Sequence, residues 1–175
     1  MNAMTPTLAA GATITELAPS TRIVLRLADP DGVGIALGVP LPERIGSRAT
    51  NGTRSALCLG PDEWLIEAPE SEAGPLNAAI ADLAARTPIS AVEVSDREIA
   101  WRLEGPAVLD LLATGCPRNL AAMPVGDGAR TIFDSAQVVL TREAEDRFDL
   151  TVWRSFAPHV RAILDLAMRE LAAGL

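Results

Sequence analysis

Few side chains in this sequence could carry acid–base, nucleophilic or metal chemistry. Its 175 residues include one histidine, His159, two cysteines, Cys58 and Cys116, and no lysine or tyrosine. A chain without lysine can supply neither a Schiff-base amine nor a phosphate-loop ammonium group. One imidazole and two thiols also fall short of a four-ligand Cys/His zinc site. We therefore predict that this chain contributes no catalytic residue, no cofactor-binding residue and no metal site.

The neighbourhood of His159 raises one catalytic alternative. Ser155 precedes it by four positions, and a nearby carboxylate would complete a Ser/His/Asp set. The sequence lacks a nucleophile-elbow pattern, and Ser155 is better explained as the N-cap of the last helix. Cys116 follows the end of a predicted helix, where the dipole disfavours a thiolate, and Cys58 alternates with apolar residues. We expect both thiols to be reduced and inert.

Glycines occur in two close pairs, at 32–34 and 126–128. A dinucleotide fingerprint needs its glycines between a strand and a following helix. The first pair lies between two predicted strands, and no predicted helix follows the second. Neither pair therefore indicates an intrinsic flavin or nicotinamide site.

The charge balance is acidic, with 15 arginines against 23 Asp and Glu, a net charge of −8. This argues against nucleic acid as a partner, since that usually needs a basic surface. No apolar run approaches the roughly 18 residues of a membrane span, and the N-terminus does not resemble a signal peptide. We expect a cytoplasmic protein. Codon bias explains the exclusive use of arginine; bidentate pairing with carboxylates is the alternative.

Six residues at turns or on outward strand faces are candidates for a protein interface: Asp62, Glu63, Arg97, Arg130, Trp153 and Arg154. Arginine and tryptophan are enriched at the residues that dominate binding energy. The alternative for most of the six is an intramolecular ion pair or a place in the core. The Asp62–Glu63 pair could also border a ligand cleft, but adjacent carboxylates point apart in a strand and make a poor acid–base pair.

The elements that position these residues are mainly strands. Apolar and polar residues alternate over several segments, which indicates half-buried strands. The predicted strands cover residues 22–27, 35–39, 55–59, 64–68, 91–94, 98–104, 130–133, 137–142 and 147–153. In the last of them, Phe148, Leu150 and Val152 share one face and Trp153 lies on the other.

Helical periodicity is confined to three segments. The first begins at Pro75 and repeats apolar residues at i, i+3, i+4, i+7 and i+8. A short helix follows Gly105-Pro106, and a longer one follows Ser155. Helices interspersed with antiparallel hairpins are typical of the α+β class, with helices packed on mostly antiparallel sheets.

Six blocks taken in order resemble the gamma subunit family of heterotetrameric sarcosine oxidase. The blocks are residues 57–66, 94–97, 103–106, 111–117, 130–131 and 152–157, with sequences LCLGPDEWLI, VSDR, LEGP, LLATGCP, RT and VWRSFA. No single block is specific, and the resemblance rests on their order and spacing over residues 55–165.

The resemblance implies a fold like that of the folate-binding aminomethyltransferase domain, with two interlocked α+β subdomains. On that basis we expect a single gamma-subunit domain at 13–175, with approximate subdomains 13–90 and 91–175. The sequence itself indicates a flexible tail at 1–12 before it. A folate-binding fold does not by itself confer folate binding.

The resemblance also implies partners and an activity. Alpha, beta, gamma and delta chains together oxidatively demethylate sarcosine to glycine, with formation of hydrogen peroxide and methylenetetrahydrofolate. FAD, FMN, NAD and tetrahydrofolate are expected in the alpha and beta subunits and zinc in delta, with alpha as the direct contact of this non-catalytic chain. Two alternatives remain open: a free-standing folate-binding or aminomethyltransferase-like protein, and a regulatory homo-oligomer.

Overall fold

The computed structural model describes residues 11–174 and contains two five-stranded antiparallel sheets. In chain order the strands are β1 (Thr13–Glu16), β2 (Ser20–Leu27), β3 (Arg48–Asn51), β4 (Arg54–Gly60), β5 (Glu63–Pro69), β6 (Ile89–Glu93), β7 (Glu98–Glu104), β8 (Gly128–Phe133), β9 (Ala136–Ala144) and β10 (Arg147–Trp153). The helices are α1 (Val33–Leu37), α2 (Ala73–Ala84), α3 (Val108–Ala113) and α4 (Ala157–Ala173). Three 3₁₀ turns lie at Glu70–Glu72, Ser95–Arg97 and Leu120–Ala122. This architecture confirms the α+β prediction.

Two compact units divide the chain. One runs from Pro19 to Ser95; the other joins the segment that ends at Ala18 to everything from Asp96 onward. The second unit therefore takes β1 from one end of the chain and β7 to β10 from the other, so the units are interlocked in sequence. The predicted tail at 1–12 lies outside the described residues except for its last two positions.

The unit from Pro19 to Ser95 orders its strands β3-β4-β5-β2-β6. Strand β2 lies between β5 and β6, and its alternating Ile23, Leu25 and Leu27 are buried in the core of this unit. The Trp64 indole nitrogen donates a hydrogen bond to the Pro42 carbonyl at 2.7 Å, so this polar atom is satisfied although the ring is buried. Strand alternation and helical periodicity predicted β2, β5 and α2.

The second unit orders its strands β1-β7-β10-β9-β8. One face of β10 carries Phe148, Leu150 and Val152, all buried against a core that includes α3 and α4. Along α4, Val160, Leu164 and Ala167 recur at helical spacing and are buried in the same core. The opposite face of β10 carries Asp149, Thr151 and Trp153. Alternation therefore predicted correctly which way each β10 side chain faces.

The predicted strand at 35–39 is wrong, because its first three residues belong to the five-residue helix α1 and Gly38 and Val39 follow the helix outside any strand. Its buried residues are Val33 and Leu37, four positions apart, whereas Ile35 is 89% exposed. Gly38 ends the helix with φ +70°, a conformation that glycine adopts without steric cost. A Cβ on Gly34 would lie 2.8 Å from the Val39 carbonyl oxygen, so the backbone folds back closely here. The apolar residues of this segment alternate as they would in a strand. The left-handed backbone angles of Gly32 and Gly38 instead bound a single helical turn.

Arg142 on β9 fastens the irregular segment between α3 and β8. Its guanidinium donates hydrogen bonds to five backbone carbonyls, those of Leu120, Ala121, Met123, Ala144 and Glu145. The shortest, to Met123, is 2.6 Å. The guanidinium carbon also lies 5.4 Å from the centre of the Phe148 ring. The carbonyls of Leu120, Ala121 and Met123 have no partner strand, and the Arg142 guanidinium supplies N–H donors to them.

Replacing Arg142 with lysine is expected to lower the free energy of unfolding by about 2–3 kcal/mol, because one ammonium group cannot reach carbonyls spread around a planar fork. Urea unfolding followed by circular dichroism measures the change. Arg169→Lys is the matched control, since Arg169 is exposed on α4 and its replacement should change stability by less than ~0.5 kcal/mol. Equal losses in the two variants would contradict the fastening role of Arg142.

Candidate interaction surface

Three of the six predicted interface residues meet at one end of the second unit's sheet. Trp153, the last residue of β10, is paired with Glu98, the first residue of β7. Because the two strands are antiparallel, Arg154 just after β10 is brought beside Arg97 just before β7. The Arg154 backbone N–H donates to the Arg97 carbonyl at 2.7 Å. The strand register thus brings together residues that are 57 positions apart in the sequence.

The side chains of this group are held in a defined arrangement. The Arg97 guanidinium carbon lies 5.0 Å from the centre of the Trp153 ring, a cation–π contact. Arg154 donates from Nε to the Asp96 carbonyl at 3.0 Å. Both arginines are exposed, as is Trp153. Within residues 11–174, neither guanidinium forms an ion pair with a carboxylate.

An open cavity of about 600 Å³ is lined by Arg97, Trp153, Arg154 and Ser155. Phe156 follows directly and is 42% exposed, close to the 41% of Trp153. The Phe156 N–H donates to the Trp153 carbonyl at 2.8 Å, which closes a turn before α4 begins at Ala157. We call Arg97, Trp153, Arg154 and Phe156 the Arg–Trp surface.

Ser155 is not the N-cap that the sequence predicts. The residue at that position is Phe156, and no side chain among the described residues caps α4. The turn that begins at Trp153 shifts the helix start by one residue, and it leaves Ser155 lining the cavity instead. Phe156 is the interface candidate that sequence reasoning missed, although its position three residues after Trp153 was a usable signal.

Asp62 and Glu63 belong to the other unit, at the turn between β4 and β5. Both carboxylate oxygens of Asp62 accept hydrogen bonds from Arg26 Nη2, each at 3.0 Å. The hydrogen bond to Asp62, followed by its charge and that of Glu63, raises the pKa of Arg26. Asp62 therefore forms an intramolecular ion pair across β2 and β5, the alternative that the sequence left open for it.

Arg130 lies on β8, an edge strand of the second unit's sheet. It is paired with Val139 on β9 and is partly buried. Strand β9 separates it from β10, a distance of about 10 Å at ordinary strand spacing. The structure therefore does not bring Arg130 into the Arg–Trp surface.

His159 has partners that the sequence did not reveal. Its Nε2 lies 2.9 Å from Asp134 Oδ2 and 3.4 Å from Ser135 Oγ, and Ser135 Oγ in turn donates to Asp134 Oδ2 at 2.9 Å. A catalytic triad needs the serine and the acid on different ring nitrogens. Here both groups share Nε2, so the arrangement is a surface contact between the β8–β9 turn and α4.

Both thiols are free and buried, and the burial of Cys58 agrees with the alternation of its apolar neighbours. Burial raises the pKa of the Cys58 thiol, which makes the reactive thiolate scarcer. Among residues 11–174 no group of three or more His, Cys, Asp and Glu side chains could hold a metal ion. None of the helices described in this part of the chain is long and apolar enough to cross a membrane.

The Asp134–His159 contact predicts a pH dependence. Hydrogen bonding to His159, then to Ser135, lowers the pKa of the Asp134 carboxyl below its usual 3.8. A lowered pKa stabilises the fold above the unfolded-state value and is lost as the pH falls through the folded-state value. We therefore expect wild type to be more stable than Asp134→Asn at about pH 5 and to lose this advantage progressively as the pH falls below 3.8.

Thermal unfolding of both proteins across this range measures the effect. Asparagine suits the comparison because it tolerates the positive φ of 52° at this position. Asp146→Asn, at an exposed carboxylate in the turn between β9 and β10, is the matched control for the loss of one negative charge. A gap between wild type and Asp134→Asn that stays constant at all pH values would refute the assignment.

Comparison with known proteins gives consistent matches. The family described as "Sarcosine oxidase, gamma subunit family" matches residues 27–170. The sarcosine oxidase subunit gamma of Corynebacterium sp. (strain U-96) is 31% identical over 169 residues, which cover 92% of this chain and 81% of that subunit. A chain of the heterotetrameric sarcosine oxidase from Corynebacterium sp. U-96, solved with pyrrole 2-carboxylate, superposes with a TM-score of 0.80 at 28% identity, covering 92% of this chain and 85% of that one.

A more distant match concerns the fold alone. Glycine cleavage system aminomethyltransferase T from Bartonella henselae superposes with a TM-score of 0.70 at 16% identity. The match covers 89% of this chain but 46% of the aminomethyltransferase. The predicted aminomethyltransferase-like fold is thus confirmed.

Proposed function

Because the chain belongs to the sarcosine oxidase gamma subunit family, we propose that it is the non-catalytic gamma subunit of a heterotetrameric sarcosine oxidase. The observation that carries the proposal is the close superposition on a chain of the solved Corynebacterium heterotetramer along nearly the whole length of this chain. The distant aminomethyltransferase match adds a fold and no activity, since folds host unrelated functions.

The proposed complex oxidatively demethylates sarcosine to glycine. Two electrons and two protons leave the N-methyl group and nitrogen of sarcosine and reduce O₂ to hydrogen peroxide. The carbon is then transferred to tetrahydrofolate as the methylene group of methylenetetrahydrofolate, and glycine is released. FAD, FMN, NAD and tetrahydrofolate would be held by the alpha and beta subunits and zinc by delta. Alpha is the proposed direct contact of this chain.

The environment of the reactive side chains supports a structural role. Cys58 and Cys116 are enclosed by core residues. The Nε2 atom of His159 is engaged by Asp134 and Ser135. Free buried thiols are also typical of proteins in a reducing compartment, which supports the proposal of a cytoplasmic location. In this proposal the chain contributes binding surface to the complex, and its partners contribute the chemistry.

Co-expression of the tagged chain with the alpha, beta and delta chains of its source organism tests the proposal. We expect all four chains to elute together and to produce hydrogen peroxide when sarcosine is added. Expression without this chain should lower the yield of assembled complex, because a subunit that binds only the folded assembly stabilises it by mass action. A tagged chain that elutes alone would overturn the proposal.

Calorimetry with tetrahydrofolate on the isolated chain distinguishes the folate-binding alternative. The proposal predicts no saturable heat of binding. Saturable binding, together with failure to join the other chains, would favour a free-standing folate-binding protein.

A further inference from the structure

We propose that the Arg–Trp surface docks a segment of a partner subunit that carries Asp or Glu carboxylates beside apolar side chains. This inference rests on the proposed function, because it requires a multisubunit complex. It adds which face of the chain is used and what chemistry the partner presents there.

Arg97 and Arg154 differ from the arginines of the described chain that form ion pairs. Five arginines form ion pairs with carboxylates of their own unit: Arg22 with Glu67, Arg26 with Asp62, Arg54 with Glu72, Arg102 with Asp149, and Arg161 with Asp165. Arg97 and Arg154 are exposed and have no such carboxylate among residues 11–174. In a chain of net charge −8, two guanidinium groups without an ion-pair partner among the described residues thus lie side by side.

The end of α4 adds to this local positive potential. This 17-residue helix begins beside the surface and has no acidic residue in its first turn. Its N-terminal end carries a partial positive charge, which an acidic partner segment would meet. The complementary surface is therefore one rich in carboxylates.

The aromatic rings supply the apolar part of the contact. Trp153 and Phe156 are 41% and 42% exposed at the two ends of a single turn. Covering such rings is favourable roughly in proportion to the apolar area removed from water. Arginine and tryptophan at the centre of an interface, surrounded by polar residues, are typical of the groups that dominate binding energy.

The surface is also held in place before binding. Arg97 stacks on Trp153, and the Arg154 backbone and Nε are fixed by the carbonyls of Arg97 and Asp96. Arg154 lines the cavity, and a carboxylate that enters it could accept two parallel hydrogen bonds from one guanidinium. A group fixed beforehand loses little conformational entropy when the partner binds.

A second copy of this chain is a poorer occupant. A symmetric dimer through this surface would oppose Arg97 and Arg154 of one copy to the same cations of the other. Like charges brought together at an interface cost binding free energy. A carboxylate-bearing segment of a different subunit meets no such repulsion.

The test compares two charge-reversed chains within the co-expressed complex. Arg97→Glu/Arg154→Glu alters the surface, and Arg118→Glu/Arg169→Glu is the matched control at two other exposed arginines with the same change in net charge. We expect the first variant to recover at least about tenfold less of the partner chains, and the control to recover them as wild type does. Recovery by wild type should also fall with added salt.

A second variant with two conservative substitutions is needed in case charge reversal impairs folding. Arg97→Lys/Arg154→Lys retains both charges but loses the planar fork, so we expect recovery between wild type and the reversed variant, with unchanged thermal unfolding. Recovery equal to wild type in both surface variants overturns the inference while leaving the proposed function intact.

Two further outcomes also count against the inference. If wild type joins no partner chain, the proposed function and this inference fail together. If the wild-type chain alone forms a dimer that Arg97→Glu/Arg154→Glu dissolves, the surface joins copies of this chain, and the docking of a partner subunit is overturned. Light scattering on the isolated proteins separates these outcomes.

Discussion

The planar guanidinium group, bonded to backbone carbonyls, is the interaction on which the irregular parts of both units depend. Segments outside a β ladder leave carbonyl groups that need donors from elsewhere. In the second unit Arg142 on β9 reaches three of them between α3 and β8, and it also donates to the carbonyls of Ala144 and Glu145 at the end of its own strand. In the other unit Arg54 on β4 donates to the Leu37 carbonyl at 2.6 Å and also pairs with Glu72 just before α2. One strand residue in each unit thus fixes the segments that connect its regular elements.

This dependence gives the arginine-only composition a partial physical meaning. Arg142 uses all three of its nitrogens, and Arg102 holds Asp149 through two parallel hydrogen bonds of 2.8 Å. Lysine offers one nitrogen and cannot reproduce either geometry. At exposed positions such as Arg169 no geometry of this kind requires arginine, and codon bias remains sufficient. Composition alone could not separate these two groups, because it reports a residue type and not its partners.

Patterns of apolar residues predict the regular elements, whereas turns and contacts between distant residues escape them. The alternation of Phe148, Leu150 and Val152 predicts β10 because a strand has one period and one buried face. Helix α1 escapes prediction because its fold depends on backbone angles at Gly32 and Gly38 that no apolar pattern records. Arg97, Trp153 and Arg154 are recognisable singly as interface types. Their contact with one another depends on the register of β7 and β10. The contact of Asp134 with His159 likewise depends on the turn between β8 and β9.

The residues of the Arg–Trp surface lie outside the contacts that hold the fold together. Its residues lie at or just beyond the ends of β7 and β10, whereas the residues that hold the unit together lie on the opposite face of β10 and in α3 and α4. Substitutions there alter exposed charge and ring area and leave the buried contacts intact, so they change stability little. Partner recognition can therefore change while the two-sheet frame persists. That separation is consistent with one fold occurring both in this family and, at 16% identity, in an aminomethyltransferase.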